Sequence, residues 1–270
     1  MEITTTLKKI FFYLVLVIVS SSCKKDGGDN AIADGPVIES YLTNGKAVSL
    51  KVYEQKGLLD TAKYGAAISG LAITFNNGVK NITLQESSKG TYTSSETDLI
   101  IAGNTCSFNF AYNGKTTSGE TSVPSTPVSF TASALQQGVP NPDPDSTSTT
   151  FVPVDFSWNN NEKGYYLMVF ENHDKTPNRI GSGFGRRNGY QDREEYLGQV
   201  STYKTQSRSF EFSGYYNVYL YHINIEYNNI VNSSSTSSLN LTNPPTNIKN
   251  GLGIFTAMSR SSLVLYVYEQ

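Results

Sequence analysis

Few residues in this chain belong to the types that carry covalent chemistry, and their spacing limits what they could do. The 270 residues include two histidines, His173 and His222, and two cysteines, Cys23 and Cys106. A structural zinc site takes about four Cys or His ligands, and a catalytic one about three from the protein. Two distant histidines and one cysteine beyond the N-terminal region supply neither. Asp143 and Asp145 alternate like the start of a calcium loop. However, the sixth and twelfth positions would be Ser148 and Val154, where an EF-hand has Gly and Glu. A loosely liganded calcium between domains stays open. Gly181-Ser182-Gly183-Phe184-Gly185 lacks the third-glycine spacing and the following helix of a dinucleotide fingerprint, so it reads as a turn. No G-x-S-x-G elbow is present. Asp192, Glu194 and Glu195 offer the carboxylates of a glycosidase. Beside Arg186, Arg187 and Arg193 they read better as a solvated charge cluster, whose pairs are worth ~0–1 kcal/mol each. The sequence therefore predicts no catalytic residue, no metal and no cofactor.

Binding is the chemistry left. Residues 172–209 are rich in Gly and charge and carry little periodicity, and irregular segments are where binding groups concentrate. Arg186, Arg187, Tyr190 and Arg193 are its candidate binding residues. Aromatic side chains are the second candidate set, since a tyrosine presents a flat apolar face and a polar tip. In YYNVYLYHINIEY the odd-numbered positions Tyr215, Tyr219, Tyr221, Ile223, Ile225 and Tyr227 would share one strand face. Trp158, the single tryptophan, is expected in a core. A formal net charge of −2 with no basic tract argues against nucleic acid.

Cys23 carries a different chemistry. Lys8 and Lys9 precede the apolar run Ile10–Val19, followed by Ser20, Ser21, Ser22 and Cys23. That is the layout of a secretory signal. The run is about half the ~20 residues needed to span a bilayer. Small residues before a cysteine resemble a bacterial lipobox, although Ser20 stands where Leu is commonest. Cleavage before Cys23 and acylation of its thiol would anchor the chain, each buried methylene contributing ~0.8 kcal/mol. The polar, Gly-containing KKDGGDNAIADG that follows reads as a tether.

The elements that would position these groups are strands. AVSLKVY and LAITF alternate with period two, and Asn76-Asn77-Gly78, Lys89-Gly90 and Asn113-Gly114-Lys115 punctuate them. In TCSFNFAY, Cys106 shares parity with Phe108, Phe110 and Tyr112, which puts the thiol in a core. With Cys23 acylated, no intramolecular disulfide is available. No long run has helical spacing. Pro124 and Pro127 break the strand pattern, and a boundary is placed there.

At PVIESYLTNGKAVSLKVYE, ISGLAITFNNGVKNITLQESSKGTYTS, YNGKTTSGETSVPSTPVSFTAS and the closing TNIKNGLGIFTA, the chain resembles a Bacteroidota lipoprotein family of unknown function. The resemblance implies an all-β fold of two tandem β-sandwiches, immunoglobulin or peptidase-regulatory-like and then fibronectin type III-like. The expected organisation is a signal peptide over 1–22, a lipidated tether over 23–35, a first sandwich over 36–124 and a second over 125–270, with an irregular insertion at 172–209. It also implies an outer-membrane location, more at the cell surface than on the periplasmic face. The implied role is a non-catalytic accessory to a TonB-dependent receptor. A structural or adhesion protein is the alternative, and a hydrolase acting through 172–209 the third.

Overall fold

A computed structural model describes residues 35–56, 61–62, 64–141, 150–181, 193–233 and 245–270. Cys23, Arg186, Arg187 and Tyr190 lie outside the described residues.

The described residues of the first part form eight strands. These are β1 (Val37–Thr43), β2 (Ser49–Tyr53), β3 (Thr74–Asn76), β4 (Asn81–Thr83), β5 (Gln85–Ser88), β6 (Thr91–Thr93), β7 (Thr105–Tyr112) and β8 (Lys115–Ser122). The β7–β8 connection is the Asn-Gly turn expected from sequence. Asn113 (φ 47°) and Gly114 (φ 73°) are both left-handed, the conformation a two-residue hairpin turn demands. The second part contributes β9 (Thr131–Ala132), β10 (Gln136–Val139), β11 (Asp155–Ser157), β12 (Tyr165–Asn172), β13 (Arg193–Gly198), β14 (Thr202–Lys204) and β15 (Gly214–Ile223). Helix α1 (Ile225–Ser233), β16 (Ile248–Lys249) and β17 (Leu252–Glu269) follow.

Among the described residues one long sheet, ordered β13-β12-β15-β17-β1-β2-β6-β5, takes strands from both parts, with β10 also paired to β17. Two smaller sheets lie against it, β16-β8-β7-β3-β4 and β14-β11-β9. The first closes a core of Ile38, Leu50, Phe75, Cys106, Phe108 and Phe255. The second closes a core of Phe156, Trp158, Met168, Phe170, Val218 and Leu265. The fold is all-β, with two β-sandwiches in tandem.

Strand β17 belongs to both. It has 18 residues, about 60 Å of extended chain. Its first half pairs in parallel with β1 and its second half antiparallel with β15. Phe255 and Ala257 enter the first core, Leu265 and Val267 the second, all by the same odd-numbered face. Residues 125–270 were expected to form the second sandwich alone, yet Ile248, Phe255 and Ala257 pack into the first. Glycine makes the crossing feasible. Gly253 has φ +100°, and a Cβ there would stand 2.0 Å from the Ile38 carbonyl oxygen.

Polar bonds fix the junction where the chain crosses between cores. Ser259 donates to the Pro124 carbonyl at 2.7 Å. His222 Nδ1 lies 2.8 Å from the Ser125 carbonyl, so that nitrogen carries the proton, and the ring stacks on Tyr166 at 5.0 Å. Asn224 donates to Thr121 and accepts from Thr256.

Two local expectations are corrected. The strand through YYNVYLYHINIEY stops at Ile223, and Ile225 and Tyr227 are on α1. Asn224 is the reason: its side chain accepts from Tyr227 N and its carbonyl from Asn228 N, as an N-cap does. The 172–209 segment also contains order, since β13 and β14 pair with β12 and β11.

Candidate functional site

The long sheet has one face on the two cores and one face away from them. Period-two alternation puts Tyr41 and Thr43 of β1, Leu167, Val169 and Glu171 of β12, and Tyr219 and Tyr221 of β15 on the outward face. Met258 and Arg260 of β17 join them. Helix α1 crosses one end of this face. There Tyr227 joins Leu167, Val169, Ile223 and Met258 in a small apolar cluster of its own. What remains beside the helix is a groove of about 500 Å³ lined by Tyr41, Tyr219, Tyr221 and Tyr227, with Lys46, Arg260, Glu171 and Glu194 among them.

Arg260 organises the groove. Its guanidinium lies 4.4 Å from the centre of the Tyr219 ring, a cation–π contact. One terminal nitrogen is 3.4 Å from the Tyr221 hydroxyl. Tyr219 and Tyr221 sit 6.0 Å apart, and Tyr41 meets Tyr227 edge-on at 6.0 Å. Burial pushes the Tyr219 phenol above its ordinary value, and its bond to Glu171 pushes it further. Burial does the same to Tyr41, helped by Glu39 and Tyr227, and to Tyr227, helped by Glu194. These phenols therefore stay neutral and keep their O–H donors at any physiological pH.

The aromatic track continues past the groove. Tyr215 pairs across strands with Tyr266, with ring centres 4.9 Å apart. Tyr266 in turn stacks with Tyr268 at 6.1 Å. From Tyr215 to Tyr221 the track runs about 20 Å along β15. His173 lies beside it with Nε2 2.5 Å from the Asn217 amide nitrogen.

The candidates named from sequence fare unevenly. Arg193 is opposite Phe170 in the β12–β13 register, while its neighbour Glu194 is opposite Val169. Thus Glu194 lines the groove and Arg193 faces the other side. There it pairs with Glu195 and donates to the Arg208 carbonyl at 3.2 Å. Trp158 is in the second core. The tyrosines at 219 and 221 are in the groove. Sequence reasoning did not find Tyr41, Lys46, Glu171 or Arg260. Period-two parity could have put Tyr41, Glu171 and Arg260 on outward faces, but nothing local says their strands are neighbours. Among the described residues, no three of His, Cys, Asp and Glu stand together as metal ligands would. Cys106 is fully buried, and burial alone pushes its thiol up to about 11.

Residues 31–263 match the family profile described as domain of unknown function DUF4249. The chain belongs to the DUF4249 family. Strand β1, the first core and the second core apart from Leu265 and Val267 lie within that match. No curated protein matches this DUF4249 member at a significant level. Among solved structures, it is similar to the FN1–FN3 domains of chicken CNTN1. That likeness has 14% identity and a TM-score of 0.19, covering 87% of this chain and 67% of that one; a score that low carries no argument about fold or function. Among the described residues no helix is long and apolar enough to cross a membrane.

Proposed function

We propose that this DUF4249 protein is a cell-envelope lipoprotein that acts as a non-catalytic binding module, with the outward tyrosine groove as its binding surface. The observation that carries the reading is the groove itself. Four tyrosines and Arg260 form a half-exposed recess on a rigid sheet, the kind of concave, mainly aromatic surface with a few fixed polar groups that suits a ligand. The sheet is a firm base because β17 is shared by two cores, and side chains on strands hold position better than side chains on loops.

The N-terminal sequence supports an anchor at Cys23 in the outer membrane, with the residues after it as the tether. The resemblance to Bacteroidota lipoproteins supports action beside a TonB-dependent outer-membrane receptor. Tethering raises the effective concentration of the groove at such a receptor, so a weak intrinsic affinity suffices. Affinity purification of the tagged, lipidated protein from native outer membrane, followed by mass spectrometry, tests this. A stoichiometric outer-membrane receptor supports the accessory role. A Cys23→Ala variant should leave the membrane fraction; retention there would sink the anchor.

A second reading, a structural spacer or adhesion protein, is favoured by one observation. The shared strand and the bonds at Pro124, Ser125 and Asn224 tie the two sandwiches together. It expects no receptor in the purification and no effect of groove substitutions on any binding.

A further inference from the structure

We propose that the tyrosine track binds a linear chain of neutral pyranose sugars. This rests on the groove being the binding surface, and adds the class of ligand. Three observations select it. First, the charges balance: Lys46 and Arg260 face Glu171 and Glu194. A strongly anionic or cationic polymer would meet as much repulsion as attraction, whereas a neutral ligand meets neither. Second, the polar groups are of both kinds. The carboxylates of Glu171 and Glu194 only accept, Lys46 and Arg260 only donate, and the phenols do both. A sugar hydroxyl both donates and accepts, so neighbouring hydroxyls on one ring can satisfy both sets. A proline-rich peptide offers mainly carbonyl acceptors and would leave the carboxylates without donors. Third, the strands under the track are paired on both sides, since β15 lies between β12 and β17, and β17 at Tyr266 lies between β15 and β10. No backbone edge is open there to extend by a peptide strand, so recognition must come from side chains.

The aromatic spacing fits a repeating ligand. Tyr219 and Tyr221, and Tyr266 and Tyr268, follow the two-residue strand period at 6.0 and 6.1 Å. Tyr215 and Tyr266 are each more than a third exposed, as is Tyr41. In the proposed complex the exposed rings of Tyr41, Tyr215 and Tyr266 stack on the axial C–H bonds of the sugars, and Lys46, Glu171, Glu194 and Arg260 meet equatorial hydroxyls within the groove.

The test is native affinity electrophoresis of the purified protein through gels containing soluble starch, mixed-linkage β-glucan, galactomannan or dextran, alongside titration calorimetry with a polyproline decapeptide. Retardation by at least one polysaccharide is expected. Tyr41→Ala and Tyr266→Ala should each weaken it about threefold to tenfold, the worth of one aromatic contact. Tyr41→Phe, which keeps the ring, should stay within about twofold. Unchanged Trp158 emission and melting temperature show that each variant is folded. Retardation that ignores all three substitutions overturns the assignment. So does decapeptide binding that the alanine variants abolish, though it leaves the groove as a binding surface. If no polysaccharide retards the protein but a receptor co-purifies with wild type and not with Tyr41→Ala, the sugar assignment fails and the accessory role stands.

Discussion

Gly253 offers the sharpest test of the shared-strand architecture. At φ +100°, any L side chain is strained by roughly 1–2 kcal/mol. A Cβ would also lie 2.0 Å from the Ile38 carbonyl oxygen and 2.9 Å from the Ile38 carbonyl carbon and nitrogen. These are backbone atoms of β1, so they cannot swing aside as a flexible side chain would. Relief requires β1 and β17 to part locally, disturbing hydrogen bonds worth about 1 kcal/mol each and the packing of Ile38 and Phe255 below. The expected loss for Gly253→Ala is about 3–5 kcal/mol, a large share of the 5–15 kcal/mol typical of a folded domain. Gly45→Ala separates the two causes: Gly45 has φ +75° and nothing within 4 Å, so only the strain of about 1–2 kcal/mol is expected. The assay is urea unfolding followed by tryptophan emission. Trp158 is the single tryptophan and reports the second core, while Gly253 touches the first. Because β17 serves both, its midpoint should fall with the substitution. Equal losses for Gly253→Ala and Gly45→Ala would refute the close approach. A Trp158 transition unmoved by a destabilised first core would refute the coupling.

Other outcomes follow from single contacts. Cys106, with its thiol raised to about 11 by burial, should resist Ellman's reagent in the native state and react only on unfolding. Cys106→Ser should cost about 1–3 kcal/mol through a buried hydroxyl, read from the urea midpoint. Asn224→Ala removes the cap of α1 together with the bonds to Thr121 and Thr256; a loss of about 2–3 kcal/mol is expected in the same assay. Glu86 accepts from Gly70 N and Gly90 N, both at 2.9 Å, and these bonds hold its carboxyl below the ordinary 4.5. A depressed folded value means stability present above the unfolded value and lost as pH falls through the folded one. Wild type should therefore melt higher than Glu86→Gln near neutral pH, and the gap should close in acid. A gap that persisted at low pH would assign the effect to something other than the charge.

The sequence by itself determined the local layers of this protein. Alternation of large apolar residues puts Val48, Leu50 and Val52, or Cys106, Phe108 and Phe110, on one side of a strand whatever its neighbours are, because the strand period is a property of the backbone. Asn113-Gly114 likewise sets its own turn. Parity even identified Tyr219 and Tyr221 as one face, while the resemblance to fibronectin-like sandwiches placed Trp158 in a core. Tertiary structure decided what lies beside what. The halt of β15 at Ile223 depended on Asn224 finding Thr121 and Thr256, which are distant in the chain. The assignment of β17 to two cores depended on Ile38 approaching Gly253, a contact between opposite ends of the chain. The groove is the clearest case. Tyr41, Glu171, Tyr219 and Arg260 each sit on an ordinary outward position of a different strand. Only the order β12-β15-β17-β1, set by burying two cores at once, brings them onto one surface.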